Sequence, residues 1–241
     1  MATEAQSERK TLSRRTVVEA ALAVGDSEGL EAISLRRLAR DLGVTPMALY
    51  RYVDSKEGLL SAMIERAFEE FELPAGSEDD WREEMRALGR SFRRLLVAHP
   101  GVVALFATHP ADNVSQNGAR IVEVVLGVLR RAGFPPREAA LIESECERFI
   151  LGTVVLEMSG GPQPCPFNPK AHAHSQEAQA QLALLPVSEF PHLHEALPYF
   201  NQCQDPDWAF EFALDLIVGG LERMLEEKRW SAEPEPGEPA Q

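Results

Sequence analysis

The chain has few cysteines, few basic residues for its acids, and no long uninterrupted apolar run. Its three cysteines, Cys146, Cys165 and Cys203, are odd in number and widely spaced, which argues against a disulfide framework and for a reducing compartment. The longest apolar stretch, Leu95 to Ala111, is broken by His99, Pro100, His109 and Pro110, so no membrane span is expected. Met1 to Lys10 is polar and mixed in charge, without the apolar core of a secretory signal, and the expected location is the cytoplasm. There is no G-x-S-x-G, Walker loop or dinucleotide fingerprint, and no Ser/His/Asp order can be singled out. Neither an enzyme nor a cofactor is expected. What remains is an ordinary globular chain of 241 residues, 44% hydrophobic, long enough for one sizeable core and a smaller one.

A net charge of -14 would disfavour a nucleic-acid partner if it were evenly spread. It is not. Residues 1–60 hold nine basic and nine acidic side chains, and the other 15 basic and 29 acidic ones follow. Between Ile33 and Leu60 the balance turns basic, five (Arg36, Arg37, Arg40, Arg51, Lys56) against three (Asp41, Asp54, Glu57).

Helical periodicity is nearly continuous and strand signals are sparse, so the fold class is all-α. A first helix is expected over about Ser13–Val24, ended by Gly25 and Gly29. A second of about nine residues follows the N-cap Ser34 and stops at Gly43; a third starts at Thr45 with Pro46 in its first position and runs to about Val53. Asp54 or Ser55 caps a fourth, to about Phe71, and Leu73–Asp80 reads as a connection. Trp81–Ala98 forms a helix with a cationic exposed face (Arg82, Arg86, Arg90, Arg93, Arg94), stopped by His99-Pro100-Gly101. A helix containing Ile121, Val124, Val125, Val128 and Leu129 ends near Gly133, and another spans about Arg137–Met158. The last, about Trp208–Lys228, has two apolar faces, one of them carrying Phe212 and Leu216. The expected organisation is a flexible 1–11, a helix-turn-helix domain over 12–72, a helical domain over 73–230 with a long insert at 159–207, and a disordered tail at 231–241.

The chemistry lies in Ser34–Lys56, SLRRLARDLGVTPMALYRYVDSK. Two short helices around Asp41-Leu42-Gly43-Val44 form a turn that offers the second helix to the major groove. If Leu38, Leu42, Leu49 and Val53 point inward, then Thr45, Pro46, Met47, Ala48, Arg51 and Tyr52 remain for bases. Arg51 can donate twice to guanine, while Met47 and Ala48 suit a thymine methyl. Tyr50, Tyr52, Lys56 and Arg36 are placed for phosphates.

From Leu12 to about Phe68 the chain resembles the TetR family of transcriptional regulators. ISLRRLARDLGVTPMALYRYVDSKEGLLSAM follows that family's L-A-x-x-L-G-V, its short recognition helix with L-Y-x-Y, and its K-x-x-L-L opening to the fourth helix. The resemblance implies base contacts from Thr45, Pro46, Met47, Ala48 and Arg51, and backbone contacts from Tyr50, Tyr52 and Lys56, with Arg36 matching a groove-contacting Arg. It also implies a homodimer that binds double-stranded DNA at a palindromic operator and releases it when a small-molecule inducer enters the C-terminal domain.

Beyond Trp81 the chain is similar to the tetracycline-repressor class, through RRAGFPPREAALIESECERFILGTVVLE and FEFALDLIVGGLERML. In that class these two helices pair with their copies across a dimer. Where the class has H-L-G-T-R-P, whose His ligates a drug-bound magnesium, this chain has Leu105-Phe106-Ala107-Thr108-His109-Pro110, although Glu157 matches the acidic residue at the helix end. Leucine cannot coordinate a hard cation, so an apolar or aromatic ligand is expected in place of a magnesium chelate. Its candidate contacts are Leu105, Phe106, Thr108, His109, Val125, Phe149, Ile150, Val154 and Glu157. His172, His174, His192 and His194 lie in the insert near Cys165 and Cys203 without the spacing of a zinc motif, and they read as solvated loop histidines. The expected function is a repressor. The alternatives are an activator of the same family, or a small-molecule or metal-binding protein that keeps the helix-turn-helix as scaffold.

Overall fold

The computed structural model describes residues 12–73, 80–108, 115–158, 176–199 and 206–228. Among these residues the regular structure is helical, with no strand. The helices are α1 (Arg14–Glu28), α2 (Leu35–Asp41), α3 (Pro46–Leu49), α4 (Lys56–Phe68), α5 (Trp81–Ala98), α6 (Pro100–Thr108), α7 (Gln116–Ala132), α8 (Pro136–Met158), α9 (Gln176–Ala183), α10 (Pro191–Ala196) and α11 (Pro206–Glu227). No described helix is long and apolar enough to cross a membrane. The expected mobility of 1–11 and 231–241 falls outside the described residues, as do residues 159–175 and 200–205 of the insert; its described part holds short helices joined by turns. The residues pack as two compact units, one holding the chain up to Glu72 with Arg94–Val122, the other Leu73–Arg93 with the chain from Glu123 onward.

In the first unit three serines start three helices by the same chemistry. Ser13 accepts from the Thr16 N–H, Ser34 from Arg37 and Ser55 from Gly58, each satisfying an N–H that the helix leaves unpaired and each contributing about 1 kcal/mol. Ser55, and not Asp54, is therefore the cap of α4. Gly25 does not end α1: it is buried inside the helix, which continues to Glu28. Met63 of α4 and Ile33 press on it, and α6 crosses beside it at Gly101, the glycine that the crossing requires. A Cβ on Gly101 would lie 2.8 Å from the Gly25 carbonyl carbon, and a Cβ on Gly25 would lie 3.1 Å from the Met63 methyl. His99-Pro100-Gly101, expected as a stop, instead turns the chain from α5 straight into α6, with Pro100 in the first helical position where it needs no N–H donor. α6 packs on α1 and α4, placing the Phe68 and Phe106 rings 5.8 Å apart. α7 begins against α4: the Asn117 N–H donates to the Glu65 carboxylate at 3.2 Å, an anion at a helix N-terminus.

The second unit brings α5, α8 and α11 together. Gly89 lets α11 approach, since a Cβ there would be 3.1 Å from Leu214 and 3.8 Å from Ile150. Phe210 is fully buried and stacks on Phe149 with centroids 6.1 Å apart. The cationic face of α5 is not left to solvent. Arg82 pairs with Glu222, Arg86 with Asp215 at 2.9 Å and Arg90 with Glu211 at 2.7 Å, so successive turns of α5 meet successive turns of α11. Solvent screens such half-exposed pairs, so they set the register of the two helices more than they stabilise them. Periodicity located these arginines on one face but could not say that acids from a segment over 100 residues away would cover it.

Candidate nucleic-acid interface

The turn between α2 and α3 is built from backbone bonds. Gly43 (φ +67°) adopts the left-handed conformation, its N–H bonds to the Arg40 carbonyl at 3.1 Å, and the Val44 N–H reaches Ala39 at 2.9 Å. This pair of bonds satisfies the last carbonyls of α2 and reverses the chain in two residues. α3 is shorter than expected. It closes at Leu49, and Tyr50, Arg51 and Tyr52 form a turn in which the Tyr52 N–H bonds to Leu49 at 2.8 Å. That tighter bond keeps the side chains near helical positions while swinging Val53 inward. Leu38, Leu49 and Val53 are buried as expected, and Leu42 is half-buried.

With those anchors inside, the expected reading surface faces solvent. Met47 is 74% exposed, Thr45, Pro46, Tyr50 and Arg51 are exposed, and Ala48 and Tyr52 are half-buried. Arg36 and Lys56 are exposed as well. Among the described residues no hydrogen bond or ion pair engages Arg36, Arg51 or Lys56, so three cations project from one short segment without an internal partner. Arg37 is different. Its guanidinium holds Glu28 at 2.8 Å and Asp41 at 2.7 Å, tying the end of α1 to α2. The bonds from Arg37 hold the carboxyls of both acids below the usual range.

The expected ligand contacts fall in both units, and each group is described on its own. In the first, Leu105 is fully buried and Phe106 half-buried against Phe68; Thr108 is the last residue of α6, and His109 lies outside the described residues. In the second, Ile150 and Val154 are buried on α8, Phe149 stacks on Phe210, and Val125 is half-buried on α7. Glu157 is engaged: Arg93 donates to it at 3.0 and 3.1 Å, donates to Asp207 at 2.6 Å, and lies 4.9 Å over the Phe210 ring. Burial alone would depress Arg93, but these acids outweigh it and hold its pKa up. A Glu157 carboxylate already neutralised by a guanidinium, and a leucine at 105, do not fit a magnesium chelate. Among the described residues no cluster of three or more metal-binding side chains occurs; His192 is exposed, His194 bonds the Leu185 carbonyl at 2.8 Å, and His172, His174, Cys165 and Cys203 lie outside the described residues.

Sequence reasoning missed the middle of α8. Burial holds the Glu143 and Glu147 carboxyls above their usual range and pushes the Cys146 thiol up to about 11. A thiol protonated at neutral pH is a poor nucleophile, so Cys146 is a packing residue.

Comparison with known proteins agrees with this geometry. A family model described as bacterial regulatory proteins, tetR family, matches residues 17–63, and one described as tetracyclin repressor-like, C-terminal domain, matches residues 73–225. The HTH-type transcriptional repressor DrrR1 of Streptomyces coeruleorubidus is 28% identical over 241 residues, spanning 94% of this chain and 83% of its own length. The tetracycline repressor protein class A from transposon 1721 of Escherichia coli is 31% identical over 214 residues, spanning 87% of this chain and 90% of its own. Among solved structures, apo ActR from Streptomyces coelicolor has a TM-score of 0.76 at 26% identity, covering 90% of this chain and 98% of ActR. ActR in complex with actinorhodin gives 0.74 at 27% identity, covering 89% and 99%.

Proposed function

We propose that this chain, which belongs to the TetR family of bacterial transcriptional regulators, is a cytoplasmic homodimeric repressor that leaves a palindromic operator when a small apolar or aromatic molecule binds its C-terminal domain. One observation carries the DNA-binding reading: the tight turn at Gly43 and the anchors Leu49 and Val53 leave Thr45, Pro46, Met47, Ala48 and Arg51 to meet bases. Tyr50, Tyr52, Lys56 and Arg36 then stand beside them for phosphates. Two such surfaces in a symmetric dimer read half-sites about 34 Å apart. Dimerisation is supported by the outer faces of α8 and α11, where Leu141, Val155, Trp208, Phe212 and Leu216 are exposed on helices whose other face is buried. Repression is supported by relatives named as repressors, and an aromatic effector by the actinorhodin bound to ActR. Release requires only that the ligand bind better to the state with wrongly spaced recognition surfaces, a coupling of about 1–3 kcal/mol.

Fluorescence anisotropy of the full chain with duplexes from its own upstream region and a scrambled control, at two salt concentrations, tests this. The expected result is a salt-sensitive preference for the native duplex in the nanomolar range, which Arg51→Ala weakens by about 1–3 kcal/mol without lowering the melting temperature. Equal weak binding to both duplexes, unchanged by Arg51→Ala, would overturn the reading for that site.

A further inference from the structure

One buried cluster lies outside the residues assigned above to DNA or ligand. His99, 8% exposed, is the residue between α5 and α6 in the first unit. Its Nδ1 lies 2.9 Å from an Asp26 carboxylate oxygen on α1, and its Nε2 lies 3.2 Å from a Glu70 oxygen just beyond α4. The second Asp26 oxygen accepts from the Gly101 N–H at 2.9 Å, and the second Glu70 oxygen pairs with Arg66 of α4 at 2.8 Å. Glu19 of α1 and Glu69 lie 3.6 and 3.8 Å from Arg66, and Arg15 of α1 is 3.5 Å from Glu69. α6 has no titratable side chain and contributes only its backbone N–H.

A neutral imidazole has one N–H and one lone pair, so between two carboxylates it satisfies one and turns a lone pair toward the other. Only the imidazolium donates to both. The backbone leaves the charge to the carboxylates: the His99 N–H closes α5 on the Leu95 and Leu96 carbonyls while its own carbonyl opens α6 by accepting from Val102 and Val103, so the two helix ends oppose each other. Asp26 lies in the last turn of α1, where an acid is disfavoured unless a cation meets it. The bond to Asp26, and then that to Glu70, hold the His99 pKa above its ordinary value against burial. Burial would raise Glu70, but the bond and charge of His99 together with those of Arg66 outweigh it and hold that carboxyl low.

We propose that His99 is a positioning residue for DNA recognition: its imidazolium fastens the C-terminal turn of α1 and the end of α4 to the α5–α6 junction, giving the frame that holds α3 a pH-sensitive lock. The proposal rests on the DNA-binding reading above. The lock is complete below the ordinary imidazole value of 6.5 and opens as pH rises through the raised value of His99.

The test follows the His99 ring by NMR from about pH 5.5 to 9 and, over the same range, affinity for a duplex that the full chain selects from a randomised pool. A ring that stays protonated above its ordinary value, with affinity falling about fivefold or more through the same midpoint, is the expected result. Glu70→Gln is measured beside the native chain. A neutral ring can then donate to Asp26 and accept from the amide, so the lock holds but the fall with pH flattens. Ordinary titration of His99, or superimposable pH profiles for the native chain and Glu70→Gln, would overturn the proposal. If no duplex is selected, the DNA-binding reading fails and the positioning role with it; a pH-independent affinity for a selected duplex sinks the lock alone. The ring titration needs no DNA and decides the charge state separately.

Discussion

Arg36 and Arg37 are neighbours with the same side chain, and the fold gives them opposite work. Arg37 is saturated by Glu28 and Asp41 and joins α1 to α2, while Arg36 points to solvent and is free for phosphate. Arg37→Ala is therefore expected to lower the melting temperature, and Arg36→Ala to leave it unchanged while weakening DNA binding and reducing its salt dependence by about one charge. The deficit of Arg37→Ala also has a pH signature. Both acids titrate low when folded, so the stability they contribute is present above their ordinary values of 4.5 and 3.8 and is lost as pH falls through the lowered ones. Thermal scans of the two variants should diverge at neutral pH and converge in acid; equal melting temperatures at neutral pH would sink the assignment. Sequence could nominate three arginines in this stretch, but not which of them an acid nine residues upstream would occupy.

At the scale of elements, most helices were legible because their signals are local. Ser34 and Pro46 start α2 and α3, Gly43 ends α2, and α5 and α8 match their expected spans to within a residue. The differences arise where a distant segment decides. Gly25 has the look of a stop signal, yet it is buried within α1 against Met63 and Ile33, and α6, which crosses α1 at Gly101, was hidden in an apolar stretch punctuated by His and Pro. Gly101→Ala tests the crossing. Its methyl would sit 2.8 Å from backbone that cannot rotate away, so the expected cost is about 1–3 kcal/mol, read as a lower denaturation midpoint with an unchanged slope. A neutral effect would mean that α6 can shift freely on α1. The exposure of the proposed reading surface was also largely legible, since burying Leu49 and Val53 leaves Met47 and Arg51 outside on any short helix. The length of α3 was not, because the tighter turn after Leu49 depends on where the anchors must land.

At the scale of the whole molecule, one apolar face stays exposed among the described residues. α11 buries Phe210, Leu214, Val218 and Leu221 but leaves Trp208, Phe212 and Leu216 54%, 53% and 61% exposed, with the Trp208 and Phe212 rings stacked 5.5 Å apart. The second copy proposed above would cover this face, which accounts for apolar residues on both sides of the helix. Leu216→Glu is therefore expected to convert a dimer to a monomer in sedimentation experiments and to abolish operator binding at concentrations where the native chain binds, with little change in helical content. A native chain that sediments as a monomer would refute the dimer directly.

The sequence by itself determined what depends on near neighbours in the chain: helical periods, serine caps, the glycine turn, the basic stretch around α3 and the family motifs across it. Tertiary structure alone decided which charges are spent and which are free. Arg37, Arg82, Arg86, Arg90 and Arg93 are paired across helices, Glu157 is held by a guanidinium, and His99 is enclosed by one acid in α1 and another just beyond α4. The physical reason is range. Helix formation is governed by residues three or four apart, whereas an ion pair depends on which distant side chains packing brings within a few ångströms, and no periodicity records that.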